Sequence, residues 1–461
     1  MKLSQLIRLR YASLVIVVFL LGLSLGLVQS RKVGAVTDGI YENLQVFTDV
    51  LSIIQKDYVD VDKTDSETLV YGAVEGMLAT LDPHSSFMPP EVFKEAQMDT
   101  KGKFEGLGIE IEMREGILTV VAPIEGTPAW EAGIKPEDQI LKIDGEPTKK
   151  MSLLETVKKL RGPKGTGVTI TIMREEFDKP KDFTITRGVI PITSVRSEIP
   201  EDGYGYIKIR QFSERTNQEF GQALEKWKKS TPGPPKGLIL DLRNNPGGLL
   251  DQAVKVADHF VNSGVIVSIR GRLPSSRATY KAHSKQTEED YPIVVLVSNG
   301  SASGSEIVAG ALQDHEKGLI VGTQTFGKAT VQTLYPLRDG SGLRLTTGRY
   351  FTPNGRDIQA EGIEPDIILP AFTTEDEEEK AGEEKPRHFL EKDLEGHLTP
   401  VEEYRADQER KLLNPELEEF VLGLKAKVVE KGADGQKVVA LEMLKNWIAL
   451  QAYIHRVTKP S

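Results

Sequence analysis

The stretch Ile293-Val294-Val295-Leu296-Val297-Ser298-Asn299-Gly300-Ser301-Ala302-Ser303-Gly304-Ser305-Glu306 decides the fold. Five consecutive apolar residues, four of them β-branched, read as a strand buried on both faces, and such strands belong to parallel sheets covered by helices. The run ends in small polar residues, after which Ile307, Ala311 and Leu312 recur at helical spacing. A second unit of the same form lies upstream. Its strand is Gly237-Leu238-Ile239-Leu240-Asp241-Leu242 and its helix runs through Ala253, Val254, Ala257 and Phe260. Repetition of strand and helix implies crossover connections, so residues 189–372 are predicted to form an α/β core.

The segments flanking this core differ in character. From 102 to 188 short strands alternate with glycine turns, as in Gly108-Ile109-Glu110-Ile111 and Val168-Thr169-Ile170-Thr171-Ile172, which predicts a β-rich inserted domain. Residues 33–101 read as helical, with Leu44, Phe47, Val50, Leu51 and Ile54, then Leu69, Ala73, Met77 and Leu81, spaced by three or four. The second of these helices is expected to stop at Leu81-Asp82-Pro83-His84, because proline does not continue the turn. After the core, residues 373–398 include an acidic run from Glu375 to Glu384 and read as a solvated linker. Residues 399–461 are again helical in pattern. The helical ends carry apolar faces suited to a homodimer or an adaptor protein.

Composition narrows the function. The 461 residues are 39% hydrophobic and 27% charged, a balance that allows a sizeable core. A formal charge of -10 excludes nucleic acid as the expected partner, since phosphate binding needs basic surface. With no cysteine, disulfides, thiolate metal sites and a cysteine nucleophile are all excluded. No histidine or carboxylate cluster has metal-ligand spacing and no glycine loop is of the phosphate-cradling kind, so no metal or cofactor is expected. At the N-terminus Lys2, Arg8 and Arg10 precede an uncharged run from Ala12 to Val28, and Arg31-Lys32 follow. That pattern marks residues 1–32 as an export signal or membrane anchor. Val28 and Ser30 are small enough for a cleavage site, while the apolar run sits at the lower limit for a span, so removal and retention both fit. The expected location is exported, periplasmic or extracytoplasmic, with residues 12–28 available to hold the protein at an inner membrane.

The chemistry is concentrated between Ser298 and Gln332. A serine where a strand ends and a helix begins has small neighbours and a following N–H that can point at an oxyanion. Such serines also cap helices. Lys328, after Phe326-Gly327 and before the alternating strand Ala329–Leu337, supplies what a serine nucleophile needs, a base. Its amine serves only when neutral, so its pKa must fall well below the ordinary lysine range, as burial in a dry pocket makes it do. Gln332, four residues on, shares its face and suits the task of orienting the amine. Asp314-His315 suggest a different, histidine-based hydrolase, but adjacent residues on a helix point in different directions.

These motifs resemble those of the carboxy-terminal processing peptidases, serine peptidases with a Ser-Lys pair. The family's Ser-Ala-Ser-x-Ser-Glu matches Ser301–Glu306 and its Gly-Lys-x-x-x-Gln matches Gly327–Gln332. Its Asp-Leu-Arg-x-Asn-Pro-Gly-Gly stands complete as Asp241–Gly248. The resemblance covers about residues 40–370 and implies Ser303 as nucleophile, Lys328 as base and Gln332 as its assistant. Gly304 stands where many members have alanine, which leaves the backbone N–H in place. That N–H and the N–H of Gly247 or Gly248 are the natural oxyanion donors. Serines 301 and 305 are the next suspects for the nucleophile.

Residues 102–188 resemble a PDZ domain. Gly106-Leu107-Gly108-Ile109 is similar to its carboxylate-binding loop, and Leu153, Val157 and Leu160 are expected to line the adjoining apolar pocket. Loop N–H groups capture a chain-terminal carboxylate while a strand edge pairs with the peptide. The implied partners are proteins or peptides with free C-termini, which the domain either delivers to the peptidase or uses to gate it. Arg161 and Lys164, at the helix end, are candidates to contact the peptidase body; His84 and Ser85 are assigned to structure.

Overall fold

The computed structural model describes residues 39–114, 116–372, 389–401, 415–425 and 434–451. The Ala12–Val28 segment and most of the acidic linker lie outside the described residues. Among the described residues no helix is long and apolar enough to cross a membrane.

The chain divides into two units, Met1–Leu78 and Ala79–Ser461. In the first, residues 39–57 are helical and a second helix begins at Ser66. The Asp65 carboxylate accepts the Thr68 N–H at 2.9 Å, which satisfies one of the open donors at that start. This helix, Ser66–Ala79, ends before the Asp82-Pro83 turn. The expectation of helix throughout 33–101 is therefore corrected. Ser86–Met88 is a strand, paired antiparallel with Gly342–Phe351, and Pro90–Thr100 is a separate helix with proline at its start.

The α/β core is a six-stranded sheet. In spatial order its strands are Val195–Glu201, Tyr204–Ile209, Gly237–Asp241, Ile293–Val297, Leu319–Gly322 and Ile367–Ile368. Only the first pair is antiparallel. Alternate side chains of each strand point to opposite faces. Leu238, Leu240, Val295 and Val297 enter one core with the helices Thr216–Ser230, Leu250–Asp258 and Gly304–Asp314. Ile239, Val294 and Leu296 enter a second core, where Val421, Leu424, Val439, Ala440, Met443, Leu444 and Leu450 meet them. The helices Pro415–Lys425 and Gly435–Lys445 thus cover the sheet's other face. The buried apolar residues of these helices therefore pack on the chain's own sheet, while Leu422 stays exposed. A five-stranded antiparallel sheet, built around Gly342–Phe351, carries the strand Thr330–Pro336 that follows Lys328.

The inserted domain has its own antiparallel sheet, ordered Ile109–Arg114, Ile117–Pro123, Gln139–Ile143, Gly167–Met173, Lys181–Thr186, and its own core around Val120, Ile140, Ile143, Ile170 and Ile172. Its helix Leu153–Leu160 starts in a capping box between Ser152 and Glu155. A ribbon of Lys103–Gly106 against Gly188–Pro191 joins the domain to the α/β core.

Candidate active site

Ser303 sits at φ 50°, ψ -108°, between the strand Ile293–Val297 and the helix Gly304–Asp314. A non-glycine residue in this region is strained, and it persists only where its surroundings over-determine it. Here they do. The Ser303 N–H donates to Glu306 Oε2 at 2.7 Å, and the Ser303 carbonyl accepts from Ile307 N–H at 3.0 Å and from the Tyr350 hydroxyl at 3.1 Å. The sharp turn pushes the side chain out of the chain's path, the geometry a nucleophile on a strand-to-helix turn requires.

The loop Asp241–Gly248 lies directly against it. Ala302 N–H and Ser305 Oγ both donate to the Asn245 carbonyl, at 3.0 and 2.9 Å, and Ser301 Oγ donates to the Leu242 carbonyl at 2.8 Å. Ser301 and Ser305, fully buried, are thereby committed to stitching two loops together. A Cβ on Gly247 would stand 2.8 Å from Gly304 N and from Ser303 Cβ, so only glycine fits. The Gly247 N–H is given to Asn245 Oδ1 at 2.9 Å, which corrects its candidacy as an oxyanion donor. The Gly248 and Gly304 amides are the pair left; Gly304 opens its helix and has no carbonyl four residues back within it.

Ser303, Lys328, Gln332, Gly247 and Gly248 line one cavity of about 740 Å³, together with Phe212, Arg344 and Tyr350. Burial holds the Lys328 amine below the ordinary lysine range; the charge of Glu391 is the strongest opposing influence. Gln332 gives its amide to Thr330 Oγ1 at 2.8 Å rather than to the lysine, at a point where the pairing with Gly342–Phe351 shifts register.

Glu306 is the residue that sequence reading quoted without a role. Fully buried, it accepts four hydrogen bonds. Oε2 takes the Ser303 and Lys328 N–H groups at 2.7 and 3.0 Å. Oε1 takes the Gly327 N–H and the Thr325 hydroxyl at 2.7 and 2.6 Å. Burial pushes its pKa up to about 7, with the four donors pulling the other way. One carboxylate therefore ties the backbone of Ser303 to that of Lys328. The signal was present: serine at a helix start with glutamate three residues later is the capping-box spacing.

None of the remaining candidates lines this cavity. His315 Nε2 lies 2.7 Å from the Val265 carbonyl, and Asp314 pairs with Arg356, so the Asp314-His315 alternative is excluded by geometry. His84 contacts Glu391, and Ser85 contacts Asp82 and Thr346. In the inserted domain Gly106, Leu107 and Gly108 are buried, and the Gly108 carbonyl accepts from Ile124 N–H at 2.8 Å. Ile109 begins an edge strand, Leu153 is exposed and Val157 half-buried beside it. Leu160 belongs to the domain core instead of a pocket. Arg161 lies over the Phe104 ring, 5.1 Å from its centroid, so it touches the connecting ribbon rather than the peptidase body.

Comparison with known proteins agrees with this architecture. Residues 203–369 match peptidase family S41, residues 119–174 match a PDZ domain, and residues 27–92 match the activating protease CtpB N-terminal domain. The carboxy-terminal-processing protease of Bartonella bacilliformis is 45% identical over 71% of this chain and 75% of its own. The carboxyl-terminal-processing protease of Synechocystis is 40% identical over 65% of this chain and 70% of its own. A solved photosystem II D1 C-terminal processing protease is 32% identical, with a TM-score of 0.41, over 71% of this chain and 92% of that one.

Proposed function

Because this chain belongs to the carboxy-terminal processing serine proteases of peptidase family S41, we propose that it cuts exported proteins toward their C-termini with a Ser303–Lys328 pair. The observation that carries this reading is Glu306, whose one buried carboxylate fixes the backbones of two residues that line one cavity. In this reading the neutral Lys328 amine takes the proton of Ser303 Oγ as that oxygen attacks the scissile carbonyl. The carbonyl oxygen, becoming an anion, accepts from the Gly304 and Gly248 amides. The tetrahedral intermediate collapses, the C–N bond breaks, and the lysine returns its proton to the leaving amine. Water then repeats the sequence on the acyl ester. Gln332, on the same wall, is assigned to orient the amine once substrate fills the cavity.

Residues 102–188 we assign as the PDZ domain and 189–372 as the peptidase. A substrate tail would add a strand to Ile109–Arg114, its carboxylate on the Gly106–Ile109 loop and its last side chain between Leu153 and Val157. The basic–apolar–basic N-terminus supports export, with residues 1–32 as signal or anchor. The test is incubation of the chain with an unstructured protein, with Ser303→Ala as control. Cleavage that Ser303→Ala retains at the parent rate would refute the assignment.

A further inference from the structure

Glu391 lies beyond the matched peptidase residues 203–369 and after the acidic run Glu375–Glu384, inside the stretch 373–398 expected to be a solvated linker, yet it is fully buried, which corrects that expectation for the residues around it. We propose that Glu391 is a positioning residue for the reaction, seating residues 389–401 on the loop that carries Lys328 and giving the lysine a fixed negative neighbour. The proposal rests on Lys328 being the base.

Three contacts support it. The Glu391 N–H donates to the Phe326 carbonyl at 3.0 Å, two residues ahead of Lys328. Glu391 Oε1 accepts from Gln359 Nε2 at 2.8 Å, and Gln359 Oε1 accepts the Ala329 N–H at 2.9 Å, one residue past Lys328. His84 Nε2 stands 2.8 Å from both carboxylate oxygens. The backbone of the base is thus bracketed on both sides by contacts that lead to one residue, through its N–H on one side and its carboxylate on the other. Farther along, Arg349 donates to the Thr399 carbonyl and Val401 N–H to Asp357, so the segment is fastened at both ends.

The charges around Lys328 come from four elements. Glu391 belongs to the docked segment, Asp82 to the turn before Ser86, Glu306 to the helix Gly304–Asp314 and Arg344 to the strand Gly342–Phe351. Facing Glu391 itself are His84 and the uncharged Gln359. Burial and Arg344 favour the neutral amine; Glu391 is the foremost group opposing them, ahead of Asp82 and Glu306. Removing its charge leaves the amine to lose its proton at lower pH.

The test is the pH dependence of kcat/KM on a peptide, using the full chain and four variants, with melting temperature as a folding control. Lys328→Ala is expected to be inactive; activity retained there refutes the underlying assignment of the base. With Lys328→Ala inactive, Glu391→Gln is expected to move the rising limb to lower pH and keep its plateau, while Glu391→Asp leaves the limb in place. A limb unmoved in Glu391→Gln, whether the rate is unchanged or uniformly reduced, overturns the electrostatic role. Gln359→Leu cuts the link to Ala329 but keeps the charge, and is expected to lower kcat several-fold with KM and the limb unchanged. An unchanged kcat in that variant overturns the positioning role, and does so even if Glu391→Gln fails to fold.

Discussion

Arg243 and Asp434, 191 residues apart in sequence, are joined by two parallel hydrogen bonds, Nη1 to Oδ1 at 2.9 Å and Nη2 to Oδ2 at 2.6 Å. Arg243 belongs to the loop Asp241–Gly248 that packs on Ser303, and Asp434 caps the C-terminal helix by accepting the Lys437 N–H at 3.2 Å. The same guanidinium also bonds Asp241 and Gln436. The glycine loop beside Ser303 is therefore fastened to a helix outside the peptidase sequence pattern.

Asp434→Ala should loosen that helix. Asp434 is partly exposed, so solvent screening limits the loss to roughly 1 kcal/mol, more for the lost cap than for the charge. Burial raises its pKa but the Arg243 bonds outweigh this and hold it below the ordinary carboxylate value. A depressed acid contributes stability above its unfolded pKa and loses it as pH falls through the folded one. The difference in melting temperature between parent and variant should accordingly shrink in acid. A constant difference down to strongly acidic pH would contradict this account.

Ser303→Ala and Lys328→Ala should each lower kcat/KM by about a thousandfold or more, with melting behaviour preserved, since each removes one half of a unit. Their double variant should be no worse than either single one. Additive losses measured in that cycle would separate the two residues.

The lysine also predicts a pH dependence with a definite sign. The base works when neutral, so log kcat/KM should climb with pH and level off before the ordinary lysine range. Stability should move in the same direction. Between its depressed pKa and the ordinary lysine value the unfolded chain binds a proton that the folded chain does not, so stability increases with pH there. Lys328→Met should flatten that slope and stabilise the protein at neutral pH, as urea unfolding at several pH values would reveal.

Glu306→Gln keeps size but replaces one acceptor oxygen with a donor facing two other donors, the pair at Ser303 and Lys328 or the pair at Thr325 and Gly327. A cost of about 1–3 kcal/mol for the unmet donors is expected, together with a loss in kcat larger than any change in KM. Parent-like kcat in a folded Glu306→Gln protein would remove Glu306 from the account of how base and nucleophile are held.

Deleting residues 103–191, cut at the two ends of the connecting ribbon, distinguishes the roles open to the PDZ domain. A domain that delivers substrate predicts slower cleavage of tailed proteins, and one that blocks the site predicts faster cleavage of short peptides. Amidating the substrate's C-terminus should weaken docking in both cases by removing the charge the loop captures. A rate indifferent to both changes would reassign the domain to partner binding.

The sequence by itself determined the strand–loop–helix units and the two serine and lysine motifs at their ends, because apolar periodicity and chain-turning residues are local properties. It also set Ser303 and the Pro246-Gly247-Gly248 turn at the ends of strands of one sheet, since parallel strands present their ends on the same edge; that Lys328 joins them was implied by the family resemblance. Periodicity states that a face is apolar and leaves open what it meets. So the helical pattern of residues 399–461 could not say that Val439 and Met443 cover the strands of Ile239 and Val294. Only the tertiary structure made Glu306 a hub, turned Gln332 toward Thr330 and spent the Gly247 amide on Asn245, because each depends on which of several reachable partners a polar group finds after packing. The longest contact of the site, His84 to Glu391 across 307 residues, joins two segments that neither composition nor spacing connects, and it exists because burying that carboxylate requires donors that no neighbour in sequence supplies.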